Sequence, residues 1–240
     1  GLIADTSSFD QIGPLAKTVR DAEIILATIV GKDSLDATSE VLDTALEMPK
    51  SLKIGVPRNF LSGDGIDPEL LANFTATIEK LKLAGHTIVD VSVPLLEYSL
   101  AVYYILQPAE VSSNLARFDG MRYGLSVPGS ALQEVYAKTR GAGFGKEVRR
   151  RVLLGTYVLS HGYYDAYYRK ADALRNEIKK SFATAFDTAT GGVDVILTPT
   201  TPSPAFKIGE KINDPVAMYL EDIFTVPLNI ASIPGISIPC

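Results

Sequence analysis

Leu52-Lys53-Ile54-Gly55-Val56-Pro57, then Asp67-Pro68 with Leu70, Leu71, Phe74, Ile78 and Leu81 behind it, then His86-Thr87-Ile88-Val89-Asp90-Val91-Ser92-Val93: the fold class turns on this stretch. The first run is short, apolar and stopped by a proline, so it reads as a strand. Asp67 suits a helix cap, and Pro68 suits a first helical turn, where a missing N–H leaves nothing unpaired. The apolar positions that follow recur every three or four residues until Gly85, which predicts a helix. The last run alternates, with Val89, Val91 and Val93 on one face and Asp90 and Ser92 on the other, the period of a half-buried strand. Two strands joined by a helix favour a parallel pair, because a parallel connection has to cross over. The pattern predicts an α/β fold.

Working outward, Leu15, Val19, Ala22, Leu26 and Ile29 predict an amphipathic helix from Pro14 to Gly31. Lys32 to Pro49 reads as a loop with a short helix around Val41 to Leu46. Leu100 to Arg117 reads as a helix, Phe118 to Gly129 as a loop and Leu132 to Lys138 as a short helix, with Gly141, Gly143 and Gly145 forming a flexible turn. A helical pattern then runs from Lys146 to about Phe186, interrupted near Gly162. Its second half carries Tyr164, Tyr167, Tyr168, Ala171, Leu174, Ile178 and Phe182 on one face. Val193 to Leu197 reads as a buried strand, and Pro215 opens a further short helix. No repeat or low-complexity tract divides the 240 residues, which read as a single domain.

Several function classes recede on composition. The net charge of −5 provides no global basic field for nucleic acid, so any such contact is local or belongs to a partner. The single cysteine, Cys240, allows neither an internal disulfide nor a thiolate metal site, which fits a reducing cytoplasm. No apolar run approaches the roughly 20 residues of a membrane span. Phosphate-loop, dinucleotide and paired-cysteine patterns are missing, as is a G-x-S-x-G elbow. His86 and His161 have no ligand companion at helical spacing, and no serine has a nucleophile's context. Lys138, Arg140, Lys146 and Arg149 to Arg151 form a local basic cluster. A solvated face is its ordinary reading, and the aromatic interleaving of a single-strand binder is missing. The chain opens on Gly1 and closes on the apolar, strand-like run Ile236 to Cys240, so it is expected to be a fragment, incomplete at both ends.

Five strings carry more information: Ser7-Ser8-Phe9-Asp10-Gln11-Ile12-Gly13-Pro14, Glu110 to Gly120, Gly143-Phe144-Gly145-Lys146-Glu147-Val148-Arg149-Arg150-Arg151, Gly162-Tyr163-Tyr164-Asp165-Ala166-Tyr167-Tyr168, and Asn229-Ile230-Ala231-Ser232-Ile233-Pro234-Gly235. In order and spacing they resemble the A subunits of the glutamyl/aspartyl-tRNA amidotransferases, within the amidase signature family. The first string alone points only to the wider family; the run from Gly143 to Tyr168 points to the A subunits. The resemblance implies a mixed β-sheet flanked by helices on both faces. It also implies a Ser–cis-Ser–Lys triad in a segment preceding Gly1, so that no catalytic residue falls within these residues and the fragment alone is inactive. What it carries onto this chain is a glutamine pocket: Tyr103 as a pocket tyrosine, Arg151 gripping the α-carboxylate and Asp222 pairing the α-ammonium. A guanidinium presents a planar fork that matches a carboxylate, and a fixed carboxylate opposite it selects a zwitterion over a simple amide.

By the same resemblance, the ammonia released from glutamine passes to a B subunit that uses ATP and Mg²⁺ and holds most of the tRNA, while a C subunit clasps the pair. No cofactor is expected on this chain. Read without the resemblance, Asp222 is an ordinary solvent-facing acid, Tyr103 and Tyr104 are core residues, and the Tyr163 to Tyr168 cluster is helix packing. Asp10 either caps the helix at Pro14 or braces the floor of a site. The competing functions are a stand-alone amide hydrolase of the same family and a non-catalytic interaction module.

Overall fold

The computed structural model describes residues 3–41, 49–61 and 65–239. Among them the elements run α1 (Val19–Ile29), β1 (Lys53–Val56), α2 (Arg58–Leu61), α3 (Pro68–Leu83), β2 (Thr87–Asp90), α4 (Ser99–Asn114), α5 (Leu132–Gly143), α6 (Lys146–Leu159), α7 (Arg169–Phe186), β3 (Val195–Ile196), α8 (Pro215–Leu220) and α9 (Val226–Ala231). A π-helical turn, Tyr164–Tyr168, runs directly into α7.

The three strands form a sheet in the order β2-β1-β3. Lys53 pairs with Thr87 and Ile54 with Val195, and both ladders are parallel. The α/β architecture is therefore the expected one, although the described part of the sheet contains parallel strands alone. Each connection crosses over, β1 to β2 through α3 and β2 to β3 through α4 to α7, and a crossover returns the next strand in the same direction.

Period-2 alternation gives the sheet two apolar faces, and helices cover both. On one face Val56, Ile88 and Leu197 pack with Phe74 and Ile78 of α3 and with Phe224. On the other, Val91 and Ile196 join Val102 and Leu106 of α4, Ile178 and Phe182 of α7, and Val226 and Ile230 of α9. Gly55 sits at the tightest point of this second face. A Cβ there would come within 3.0–3.1 Å of the Val91 and Val193 side chains, so the central strand takes a glycine.

Asp67 caps α3, its side chain accepting from the backbone N–H groups of Glu69 and Leu70, with Pro68 in the first turn. Asp67→Ala is expected to lower stability by about 1 kcal/mol, read as a melting temperature lower by roughly 2–4 °C.

Elsewhere the periodicity misplaced boundaries. The first helix starts at Val19 instead of Pro14, because Thr18 accepts from Asp21 N–H and a side-chain cap outcompetes a proline as a start signal. None of its residues is buried, and Leu15 is 99% exposed. Gly141 and Gly143 lie inside α5 and not in a turn after it. Buried Thr139 and the Arg140 guanidinium, which donates to the Leu115 carbonyl at 2.9 Å, hold that last turn. Such anchors offset a glycine's helical cost of about 1 kcal/mol. The strand-like run near the C-terminus forms no strand over residues 233–239, and Ile236 and Ile238 are exposed. Tyr164 and Tyr167 are exposed too, so the buried stripe of α7 begins only near Ala171. The short helix expected around Val41 to Leu46 lies outside the described residues apart from Val41.

Candidate functional site

Two helices build the site, and a glycine lets them meet. A Cβ on Gly155 of α6 would stand 1.8 Å from the carbonyl oxygen of Pro108 and 2.8 Å from Cβ of Ser112, both on α4. Only a residue without a side chain permits that approach. The Ser112 and Thr156 hydroxyls close the crossing at 2.8 Å. Arg151, one turn before Gly155, is thereby set against the turn of α4 that carries Tyr103, Tyr104 and Gln107.

The guanidinium of Arg151 is held on several sides. Its Nε donates to Glu147 Oε1 at 2.9 Å and its Nη1 to Gln107 Oε1 at 2.8 Å. The charge lies 5.6 and 5.7 Å from the ring centroids of Tyr104 and Tyr219, which stack on each other at 4.2 Å. Tyr219, on α8, donates its hydroxyl to the same Glu147 oxygen at 2.7 Å. Asp222, two residues beyond α8, accepts from the Tyr104 hydroxyl at 3.1 Å. Tyr103 stands edge-on to Tyr104 at 5.2 Å and to Phe9 at 5.4 Å.

Sequence reasoning thus named three residues that the fold gathers into one cluster, Tyr103, Arg151 and Asp222. It missed four that complete the cluster: Tyr104, Gln107, Glu147 and Tyr219. Two of these were within reach, since Gln107 and Glu147 each lie four residues from a named residue on the same helix and so share its face. Tyr219 carried no comparable signal. The contact to Asp222 comes from Tyr104, while Tyr103 packs towards the core.

Burial shapes the electrostatics. It pushes the Asp222 carboxyl above the usual aspartate range, and Glu221 adds to the rise, while the Tyr104 hydroxyl and Arg151 oppose it. Both tyrosine hydroxyls are likewise pushed up by burial, Tyr104 further through its contact with Asp222. Burial also disfavours an ionised Glu147, but the Tyr219 hydroxyl and Arg151 outweigh it and hold that carboxyl below its ordinary value. The cluster therefore contains a fixed cation at Arg151, compensated by Glu147, and a partly desolvated acid at Asp222 reached through a tyrosine bridge. Such an arrangement favours a ligand that brings both signs of charge.

Of the neighbouring arginines, Arg150 pairs with Glu147 and reaches Tyr219 from the exposed rim of the cluster, while Arg149 is exposed and stays outside it. Lys138 is paired with Glu134 at 2.6 Å, and Arg140 is spent on backbone carbonyls. Of the basic cluster of the sequence, Lys146, Arg149 and Arg150 are exposed, while Arg140 and Arg151 are tied into the fold. Asp10 accepts from Asp5 N–H, Thr6 N–H and the Thr6 hydroxyl, so it clamps the preceding turn and does not cap α1. Asp10 and Gln11 line a cleft of about 260 Å³ whose wall includes Phe9 and Asn229. His86 Nδ1 accepts from Leu52 N–H, a structural contact. Among the described residues no group of three or more His, Cys, Asp and Glu is placed to hold a metal ion, and no helix is long and apolar enough to cross a membrane.

The model of the amidase family matches residues 1–240. Over the whole chain the sequence is 53% identical to the A subunit of the glutamyl-tRNA(Gln) amidotransferase of Rhodospirillum rubrum, of which it covers 48%. It is 49% identical to the A subunit of the same enzyme in Thermodesulfovibrio yellowstonii, of which it covers 50%. The crystal structure of the corresponding A subunit from Thermotoga maritima superposes with a TM-score of 0.70 at 37% identity, over 99% of this chain and 48% of that one. A 6-aminohexanoate cyclic dimer hydrolase shares the fold at 17% identity and a TM-score of 0.60. The chain spans about half the length of the curated relatives it matches. A family match along every residue leads to one statement of kinship: the chain belongs to the amidase family.

Proposed function

We propose that these residues form the amino-acid-recognising part of the glutaminase subunit of a tRNA-dependent amidotransferase, which supplies ammonia to convert Glu-tRNA(Gln) to Gln-tRNA(Gln), Asp-tRNA(Asn) to Asn-tRNA(Asn), or both. The observation that carries the proposal is the meeting of Arg151 and Asp222 on one tyrosine, Arg151 over the ring of Tyr104 and Asp222 at its hydroxyl, with Tyr103 beside it. Arg151 receives the α-carboxylate of glutamine and Asp222 its α-ammonium. Glu147 and Gln107 fix the guanidinium plane before the ligand arrives, which lowers the ordering cost of binding. Held at that end, the side-chain amide projects out of the clamp to a serine nucleophile supplied from outside these 240 residues. Attack by the serine releases ammonia and leaves a glutamyl ester, which water hydrolyses.

In this reading, the ammonia passes to a partner B subunit, which uses ATP and Mg²⁺ and makes most of the tRNA contacts, and a C subunit joins the two. The setting is the cytoplasm, where tRNA is charged. The relatives from Rhodospirillum rubrum and Thermodesulfovibrio yellowstonii, matched over all of this chain, support the assignment.

The test compares L-glutamine with pentanamide, which has the amide but neither charged group, by calorimetric titration of the full-length protein. Each lost charge-assisted contact is worth about 1.5–3 kcal/mol, so glutamine is expected to bind at least roughly 100-fold more tightly. Equal affinities would eliminate the zwitterion clamp. The same titration carried downward in pH gives the sign of the Asp222 contribution. Only the ionised carboxyl pairs with an ammonium, and burial raises its proton affinity. Glutamine affinity is therefore expected to begin falling at a pH above the ordinary aspartate range, with proton release on binding there. Affinity that stays flat until the protein unfolds would remove Asp222 from the clamp.

A further inference from the structure

Arg175 lies on α7, within the face read from the sequence as apolar, and it is only 8% exposed. A buried arginine is costly unless its donors are satisfied, and the partners of this one are informative. Its Nε donates to the Ile230 carbonyl at 3.2 Å, its Nη1 to the Ser8 hydroxyl at 2.8 Å and its Nη2 to the Ser8 carbonyl at 3.1 Å. Ser8 in turn donates its hydroxyl and its N–H to the carboxylate of Glu110 on α4, the N–H at 2.9 Å. The positive charge is thus answered through a serine. One planar group joins α7, the segment before α1 and α9.

The guanidinium also lies over the ring of Phe9, 4.4 Å from its centroid, while the Phe9 carbonyl accepts from Asn229 at 2.8 Å. Phe9 meets Tyr103 edge-on, and Tyr103 meets Tyr104 in the same manner. An unbroken run of contacts therefore leads from Arg175 to the tyrosine pair of the clamp. The Tyr103 hydroxyl also faces Arg151, whose charge and hydrogen bond oppose the upward push of burial. We infer that Arg175 is a positioning residue for amino-acid recognition: acting through Ser8 and Phe9, it fixes Tyr103 beside Arg151, where the α-carboxylate is received. The inference rests on the proposed binding of glutamine. Lysine cannot replace Arg175, because its three donors radiate from one nitrogen on a flexible stem and cannot span Ile230 and Ser8 in one plane, and it offers no flat face to Phe9.

The experiment uses the full-length protein with two variants, Arg175→Lys and Phe9→Leu. The ligands are L-glutamine and 4-aminobutanamide, which keeps the amine and the amide but lacks the α-carboxylate. In both variants glutamine is expected to bind about tenfold more weakly or worse, with 4-aminobutanamide unchanged, so that the preference for a carboxylate collapses. A melting temperature that falls while both ligands weaken equally would make Arg175 a core residue and overturn the inference, and so would an unchanged preference. Should Arg175→Lys fail to fold, Phe9→Leu decides, since it keeps Arg175 in place and stays apolar. A wild-type protein with no preference for glutamine over 4-aminobutanamide would reject the glutamine reading itself. A preference present in the wild type and retained in the variants rejects the positioning role alone.

Discussion

Arg151→Ala is expected to weaken glutamine binding by roughly 30- to several thousand-fold, the range for removing one partner of a hydrogen-bonded charge pair at about 2–5 kcal/mol. The Arg151 side chain is 22% exposed, which favours the lower half of that range. Arg151→Lys keeps the charge but not the fork, and should still cost about tenfold. Stability responds by a different route. The ion pair with Glu147 is half in solvent and contributes little, about 1 kcal/mol at most. The loss comes mainly from Gln107, which is 4% exposed and whose side-chain oxygen accepts from Arg151. An unsatisfied buried amide oxygen costs about 1–3 kcal/mol, a melting temperature lower by roughly 2–10 °C. Calorimetric titration and thermal unfolding separate the two effects. If the protein melts earlier yet binds glutamine as before, Arg151 is a structural residue.

Gly155→Ala is expected to be among the most damaging single-methyl changes in the molecule. On propensity alone, alanine in a helix interior would stabilise α6 by about 1 kcal/mol. Here the added carbon would sit 1.8 Å from a backbone carbonyl oxygen, which cannot rotate away as a side-chain tip can. The helices have to separate, and overpacking of this sort costs about 1–3 kcal/mol or more, a melting temperature lower by roughly 2–10 °C. Because Arg151 is one turn away on α6, glutamine affinity should drop with it, while a change at an exposed alanine such as Ala142→Gly on the neighbouring helix leaves affinity unchanged. A Gly155→Ala protein with wild-type melting and binding would mean that α4 and α6 do not cross this closely.

How much was legible beforehand depended on the range of the interaction. The β1-α3-β2 unit was read correctly from Asp67, Pro68 and the alternation of Val89, Val91 and Val93, because caps, turns and periodic burial act within a few residues. The same local logic failed at both ends of the chain. Leu15 has the spacing of a buried helical position and is exposed, and Ile236 and Ile238 alternate like a strand without forming one. Apolar spacing shows which residues would share a face; it does not supply what covers that face. Gly141 and Gly143 looked like a turn because glycine favours turns, but contacts from Thr139 and Arg140 outweighed that tendency.

The candidate site divides along the same line. The sequence by itself determined the fold class, the helix that carries Arg151 with Glu147 four residues behind it, and, through ordered strings, the kinship of the chain. Each of these is a local pattern or an ordered succession of residue types. Only the tertiary structure decided that Tyr104 and not Tyr103 meets Asp222, 118 positions away, that Tyr219 stacks on Tyr104, and that a buried Arg175 sits in a face read as apolar. Those contacts join α4 to α8 and the residues after it, and α7 to α9 and the segment before α1. Their partners lie far apart along the chain, and nothing in the neighbourhood of either one specifies the other until the core has packed.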